Sequence, residues 1–379
     1  MSLDNYLPIL GVVIAGLAFI HGVIALIALL VRRESSVRGL LLPPVTLLKP
    51  LHGAEASLYQ ALRSFCDQDY PIFQVVFGVR DAHDPALDVV RQLQKEFPQV
   101  AISVVVGAQV HGSNRKVSNL INMMSVAEHE YLILADSDIH VGRDYLATLV
   151  SPLLDDKVGI VTCAYRGRPQ PNVWSGIGAL YIDDWYMPSI MLARLFGGST
   201  FAFGSTIGLR RQVLERIGGF AAIANHLADD YMLSSLTNKI GLKTVLSQHV
   251  IETTVHEPNL AALVRHELRW MRTIRAMQPL GYAFLFISFT LPLAVLGAWI
   301  SEGADLAMIL LYGAIVARVM LHFVQRLRAK RPLFSALWLL PVADLMTALV
   351  WVSGFAGREV DWGREKFSIE QDGSFRELC

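Results

Sequence analysis

The sequence predicts an α/β domain, a mixed and mostly parallel sheet flanked by helices, carried between an N-terminal transmembrane helix and several C-terminal ones. Three observations predict it. Short β-type runs alternate with polar helical stretches through the middle of the chain, a run of membrane length opens it, and further apolar runs follow the middle. With 53% hydrophobic and only 17% charged residues, the 379-residue chain is greasier than an ordinary soluble protein. Its 33 basic and 33 acidic residues balance, so no global field recruits nucleic acid and none is expected as a partner. Cys66, Cys163 and Cys379 are too few and too far apart for a disulfide framework or a zinc site, and read as ordinary thiols of a reducing compartment.

Tyr6 to Val31 is long and apolar enough to cross a hydrocarbon core and ends in Arg32 and Arg33, which place the following segment in the cytoplasm. Asp4 before the run and arginines after it are the wrong flanks for a cleaved signal peptide. Residues 1–39 are therefore expected to form an anchor, and 40–260 a cytoplasmic domain. Gly281 to Ile300 and Leu306 to Val324 are further spans, with acidic Glu302 and Asp305 between them and basic Arg326, Arg328, Lys330 and Arg331 behind. Leu333 to Phe355 contains Pro341 and Asp344 and precedes a tail with Arg358, Arg364 and Lys366. A re-entrant hairpin keeps that basic tail inside, so 279–356 is expected as a transmembrane and re-entrant region and 357–379 as a cytoplasmic tail. Arg318, His322 and Asp344 are polar at membrane depth, and their pairing would favour a protein-lined pocket.

Within the middle region, Val45–Leu48, Gln74–Val79, Ile102–Val106 and Tyr131–Ala135 read as strands, separated by helical stretches at 57–66, 85–97 and around Asn119 and Asn122. Ligands of such sheets bind at the carboxyl ends of the strands, where Asp81 and Asp136-Ser137-Asp138 fall. Two carboxylates one residue apart suit a hard divalent cation that also meets a diphosphate, although the same triplet suits a simple turn. Asp229 and Asp230 open a helical stretch, where a helix dipole alone would favour them; beside a metal pair, they supply a general base. Residues 261–278 form a basic, aromatic helix with Arg265, His266, Arg269, Trp270, Arg272 and Arg275. It suits an anionic lipid surface, or a site in which Arg269 pairs with diphosphate and Trp270 walls an acceptor. The aromatic stretch 176–195, with Trp185 and Tyr186, is expected to lie beside Trp270 and line a path for lipid, unless it is ordinary core.

Taken together these blocks resemble the glycosyltransferase superfamily that contains cellulose and hyaluronan synthases, with its spaced aspartates and Q/R-x-x-R-W box. Leu47-Leu48-Lys49-Pro50-Leu51, Asp69-Tyr70-Pro71, Arg80-Asp81 with Asp84-Pro85, and Asp229-Asp230-Tyr231 are most similar to its lipid-modifying branch, the family 2/21-type ceramide glucosyltransferases and bacterial hopanoid-biosynthesis glycosyltransferases. The stretch Gly112 to Leu120 and the His266–Trp270 box look most like the hopanoid enzymes. The resemblance implies a GT-A fold and an inverting transfer of one sugar, N-acetylglucosamine from its UDP donor, to a bacteriohopanepolyol. The alternative is glucosylation of ceramide from UDP-glucose. It implies Asp230 as general base, and Asp136 and Asp138 at a Mg²⁺ or Mn²⁺ ion. Asp81, Asp136, Lys49 and Lys116 would lie around the donor, the two lysines equally suiting a solvated surface. Arg269 and Trp270 would close over diphosphate and acceptor. His266 stands where Gln or Arg is usual, so either it or Arg265 must supply that donor contact. The expected setting is the cytoplasmic membrane of a bacterium, with the catalytic domain on the cytoplasmic face. A processive polysaccharide synthase is disfavoured because so few spans build no conduit. A non-enzymatic tether is disfavoured by the ordered carboxylates.

Overall fold

The computed structural model describes residues 6–31, 42–55, 57–196, 201–362, 365–370 and 374–377. Arg32, Arg33 and Arg364, which carry part of the topology reading, lie outside them, as does Cys379. Two compact units emerge, one made of residues 1–32, 167–198 and 255–372, the other of 33–166, 199–254 and 373–379.

The second unit is built on an eight-stranded sheet. Its strands are β1 (Val45–Pro50), β2 (Phe73–Val79), β3 (Ala101–Val106), β4 (Tyr131–Ala135), β5 (Ile139–His140), β6 (Val158–Pro169), β7 (Thr206–Arg210) and β8 (Lys243–Val255), in the order β3-β2-β1-β4-β7-β6-β8-β5. The first four are parallel, with Leu48 registered against Val76 on one side and Leu134 on the other. β7 pairs antiparallel with both β4 and β6, and β5 with β8. Strands β1 and β4 are buried on both faces, which is why they read as runs rather than as alternation. Leu48, Val76, Leu120, Leu134, Ile207 and Leu233 form the core beneath the site. Helix Arg115–Met123 starts at Asn114, whose side chain accepts from Val117 N at 3.0 Å. It docks so closely that a Cβ on Gly78 would sit 2.4 Å from Asn119 Oδ1. Cys66 and Cys163 are free and buried.

The other unit is helical. Leu7–Leu30, Asp305–Arg328 and Leu337–Gly354 are each long and apolar enough to cross a membrane, and the pair Pro279–Ser288 and Thr290–Ile300 adds a fourth candidate bent by 70°. Small residues make the packing face of the first helix: Gly11, Ala15, Ala18, Gly22 and Ala25 are buried. Contact there is backbone to backbone, since a Cβ on Gly297 would lie 2.5 Å from Ala15 N. Two details differ from the sequence reading. The irregularity falls at 279–300, whereas the segment around Pro341 is a continuous helix; Pro341 sits in that helix's first turn, where a missing N–H costs nothing. The basic loop is also partly internal, for Arg326 is buried and Arg331 reaches Asp183 at 3.2 Å. Residues 167–198 belong to this helical unit, as helices Val173–Leu180 and Met187–Leu195 joined by a π-helical turn, Tyr181–Tyr186.

Candidate active site

Because β1, β2 and β4 are parallel, their carboxyl ends share one edge of the sheet, and that edge collects Lys49, Asp81 and Asp136. Asp136 follows the last residue of β4, and Asp229 and Asp230 form the first turn of helix Asp229–Lys239. Lys116, from the start of its own helix, joins them: its Nζ lies 2.8 Å from Asp136 Oδ1 and 3.3 Å from Asp229 Oδ2. Burial alone would lower the Lys116 ammonium, but Asp136 and Asp229 hold it protonated well above the ordinary lysine range.

Lys49 is fully buried, its ammonium 3.6 Å from the centre of the Phe65 ring and donating to the Asp136 carbonyl. Burial pulls it down to about 7. It supports the Asp136 turn from beneath, which makes it a positioning residue for that turn. Asp81 is a different kind of residue, with 71% of its side chain exposed; the His83 backbone N–H at 2.8 Å, then the His83 ring, hold its carboxyl below the usual range. Asp84 accepts from Gly53 N at 3.0 Å and from Ala86 N at 2.9 Å, tying the loop after β2 to the loop after β1.

Asp138 accepts a 2.5 Å hydrogen bond from Thr253 Oγ1 on β8, and burial, then Asp136, push its carboxyl upward. Asp136 and Asp138 fit a divalent cation on the chemistry of this donor set. The half-buried Asp138 carboxylate leans on a hydroxyl, and a cation that also meets diphosphate oxygens needs only one or two protein carboxylates. Among the described residues, no group of three or more His, Cys, Asp or Glu side chains is placed to hold a metal ion.

Unlike its neighbour Asp229, Asp230 makes no salt bridge to Lys116 among the described residues. Its Oδ2 accepts from Gly204 N at 2.8 Å and its Oδ1 from Tyr231 N at 2.8 Å. Burial and the neighbouring Asp229 push it up to about 6. That leaves a carboxylate basic enough to take a proton near neutral pH and held still by two backbone donors. Gly204 and Thr253 carried no signal in the sequence, because each acts through one backbone or hydroxyl contact from a distant strand or loop.

In the helical unit, helix Leu260–Met277 carries the predicted box. Trp270 packs on Tyr181 and Tyr186 at ring-centre distances of 5.6 and 6.1 Å, and edge-on to His266 at 5.0 Å, so the aromatic stretch does lie beside it. His266 Nδ1 is 2.6 Å from the buried Glu257 carboxylate. That contact engages Nδ1 and leaves Nε2 as the ring nitrogen turned to other partners. Thr273 Oγ1 donates to the Arg269 carbonyl at 2.8 Å. Arg272 and Arg275 donate to backbone carbonyls of the segment 355–359, which gives them a structural task that the lipid-surface reading did not foresee.

A sheet with parallel strands at one end, an acidic turn after β4 and an acidic helix start is the arrangement of the GT-A fold. A mannosyltransferase of Pyrobaculum calidifontis, solved with GDP-Man and Mn²⁺, shares this fold, with a TM-score of 0.54 and 20% identity over 92% of this chain and 99% of that one. The Glycosyl transferase family 21 profile matches residues 10–375, and the chain belongs to that family. Ceramide glucosyltransferase 1 of Caenorhabditis elegans is 24% identical over 239 residues, 63% of this chain and 51% of that protein. The ceramide glucosyltransferase of Komagataella phaffii is 29% identical over 132 residues, 33% of this chain and 26% of that protein. The chain spans about half the length of the Caenorhabditis relatives it matches.

Proposed function

We propose that this protein is an inverting, membrane-embedded glycosyltransferase that moves one sugar from a UDP-sugar to a hydroxyl of a membrane lipid, most simply glucose to ceramide. The observation that carries the reaction class is Asp230, half-buried, raised in basicity and fixed by two backbone donors beside the Lys116-bridged pair. Asp230 takes the proton of the acceptor hydroxyl as its oxygen bonds to the anomeric carbon, while the bond from that carbon to the diphosphate oxygen breaks and UDP leaves. Asp136 and Asp138 would hold Mg²⁺ or Mn²⁺, which supplies charge compensation for the departing diphosphate. Asp81 would meet the uridine side of the donor, and Lys49 and Lys116 set the acidic turn around it. Arg269 and Trp270 would face diphosphate and acceptor, with Glu257 holding His266.

Family membership and the ceramide glucosyltransferase relatives support ceramide and UDP-glucose. The blocks Gly112–Leu120 and His266–Trp270 support a second reading, N-acetylglucosamine from its UDP donor onto a bacteriohopanepolyol in a bacterial cytoplasmic membrane. The apolar helices support a multi-pass enzyme, and the arginines that follow the first of them support a catalytic unit on the cytoplasmic side. Mass spectrometry of the product, with both lipids and both UDP-sugars offered together to the purified protein, tests the reading. Glucosylceramide is the expected product, a glycosylated hopanoid selects the second reading, and free sugar alone would refute lipid transfer.

A further inference from the structure

The turn that leads into Asp229 and Asp230 is fastened from outside itself. It runs between a short helix ending at Ile223 and the acidic helix start, and its carbonyls find partners elsewhere in the chain. Ala224 O accepts from Asn114 N at 2.8 Å, Asn225 O from Phe375 N at 3.1 Å, and His226 O from Asn114 Nδ2 at 2.8 Å. The Asn225 side chain returns the grip, its Oδ1 accepting from Ser113 N at 3.0 Å and from Ser113 Oγ at 3.2 Å. Asn114 is fully buried and also caps the helix that carries Lys116. Gly112 comes so close that a Cβ there would lie 2.4 Å from Ala224 O. All of these residues belong to the sheet unit, and so does the terminal strand Phe375–Glu377.

Two of these anchors come from the loop that starts the Lys116 helix, and the third comes from the far end of the sequence. Phe375 supplies it with its backbone N–H and with a side chain that is 4% exposed, and Ser374 forms an antiparallel bridge with His226. Sugar transfer gives these terminal residues no task of their own. We propose that the terminal segment Ser374–Glu377 positions the active site: it closes the third side of the 224–226 turn and so holds Asp230 in register with Lys116. Ser374 and Phe375 are then positioning residues that act on Asp230 through the turn. Only Leu227 and Ala228, both buried, separate the turn from Asp229, so a shift of the turn carries into both carboxylates. A base that must meet a hydroxyl proton at hydrogen-bond distance loses rate steeply for a displacement of about 1 Å.

The effect on turnover rests on Asp230 being the base, whereas the hold itself is measured without any reaction. Phe375→Pro removes the N–H that meets Asn225 O, Phe375→Ala removes the ring and keeps the N–H, and Phe375→Leu keeps both the N–H and an apolar side chain. Hydrogen exchange on the full chain in detergent follows the amides of Ser113 and Asn114, whose acceptors lie on the turn, with β1 and β2 as the internal reference. Phe375→Pro, or Phe375→Ala if thermal unfolding shows the proline variant unfolded, should exchange these two amides at least about tenfold faster while β1 and β2 keep wild-type protection. Lipid glycosylation at saturating donor, counted per UDP-binding site, should fall about tenfold in the same variant and return to near the wild-type rate in Phe375→Leu. Unchanged exchange at Ser113 and Asn114 in the folded variant would overturn the proposal, as would faster exchange with wild-type turnover per site. Absence of transfer in wild type would count against the enzyme reading and leave exchange to decide the hold.

Discussion

Both units bury carboxylates against a basic group, with opposite balances. In the sheet unit one ammonium, Lys116, spans Asp136 and Asp229, while Asp138 leans on a hydroxyl and Asp230 on backbone N–H groups. In the helical unit a guanidinium forks onto Asp344 and reaches Asp184, and an imidazole covers the same Asp184 oxygen. The first arrangement is short of positive charge at an open sheet edge, which is what a cation, a diphosphate and a leaving proton need. The second is nearly closed and holds helices together. The difference teaches that a carboxylate cluster is read by what its counter-groups leave uncovered, more than by how many acids it contains.

Removing each central cation should break the comparison in different ways. Arg318→Met strands two carboxylates that are 0% and 12% exposed and should cost about 3–5 kcal/mol, seen as loss of folded protein or a large fall in Tm in detergent. A fall of only about 2 °C would show that the cluster is not structural. Lys116→Met should cost less stability, roughly 1–2 kcal/mol, because Lys116 and Asp136 keep 18% and 37% of their side chains exposed. It should nevertheless lower kcat about a hundredfold, since Asp136 and Asp229 then repel each other across the site. A variant with wild-type turnover would remove Lys116 from the account.

Gly204→Ala sharpens the catalytic half. Its new Cβ would lie 3.2 Å from Asp230 Oδ2, so the carboxylate must shift by a few tenths of an ångström. A drop of about tenfold in kcat with little change in Tm is expected, and unchanged kinetics would show that Asp230 tolerates displacement.

The smallest effect is expected at Glu267, buried beside the box, where burial and Glu257 push the carboxyl up to about 8. The folded protein keeps a proton there that the unfolded chain releases above about pH 4.3, so this residue's contribution to stability falls as pH rises from there through 8. Glu267→Gln should therefore raise Tm by roughly a few degrees near pH 9 and hardly at all near pH 4. A Tm gain that does not vary with pH would contradict that assignment.

What the sequence made legible follows how local each signal is. An apolar strand ending in Asp136-Ser137-Asp138, and acids at the start of a helix, are written within a few residues, and the structure forms both. The bridge from Lys116 to Asp229 spans 113 positions of chain and cannot be read from spacing. Thr253 is hidden in the alternation of a long strand, and Gly204 acts only through its N–H. In the helical unit the polar character of Arg318, His322 and Asp344 was visible, but their shared partner Asp184 lay in a stretch assigned to the other domain. Proline drew the irregularity to Pro341, although a proline in a first turn bends nothing.

The central claim is that Asp230 takes the acceptor's proton, and the most direct test compares wild type with Asp230→Asn, measuring lipid glycosylation across pH together with UDP-sugar binding. Wild-type transfer should rise with pH through about 6, as the Asp230 carboxyl loses its proton, and level off above. Asp230→Asn should bind UDP-sugar as before and transfer at least about a thousandfold more slowly, with the rising limb gone. Transfer near the wild-type rate with the same pH limb, or a folded variant that no longer binds UDP-sugar, would contradict the assignment of the base.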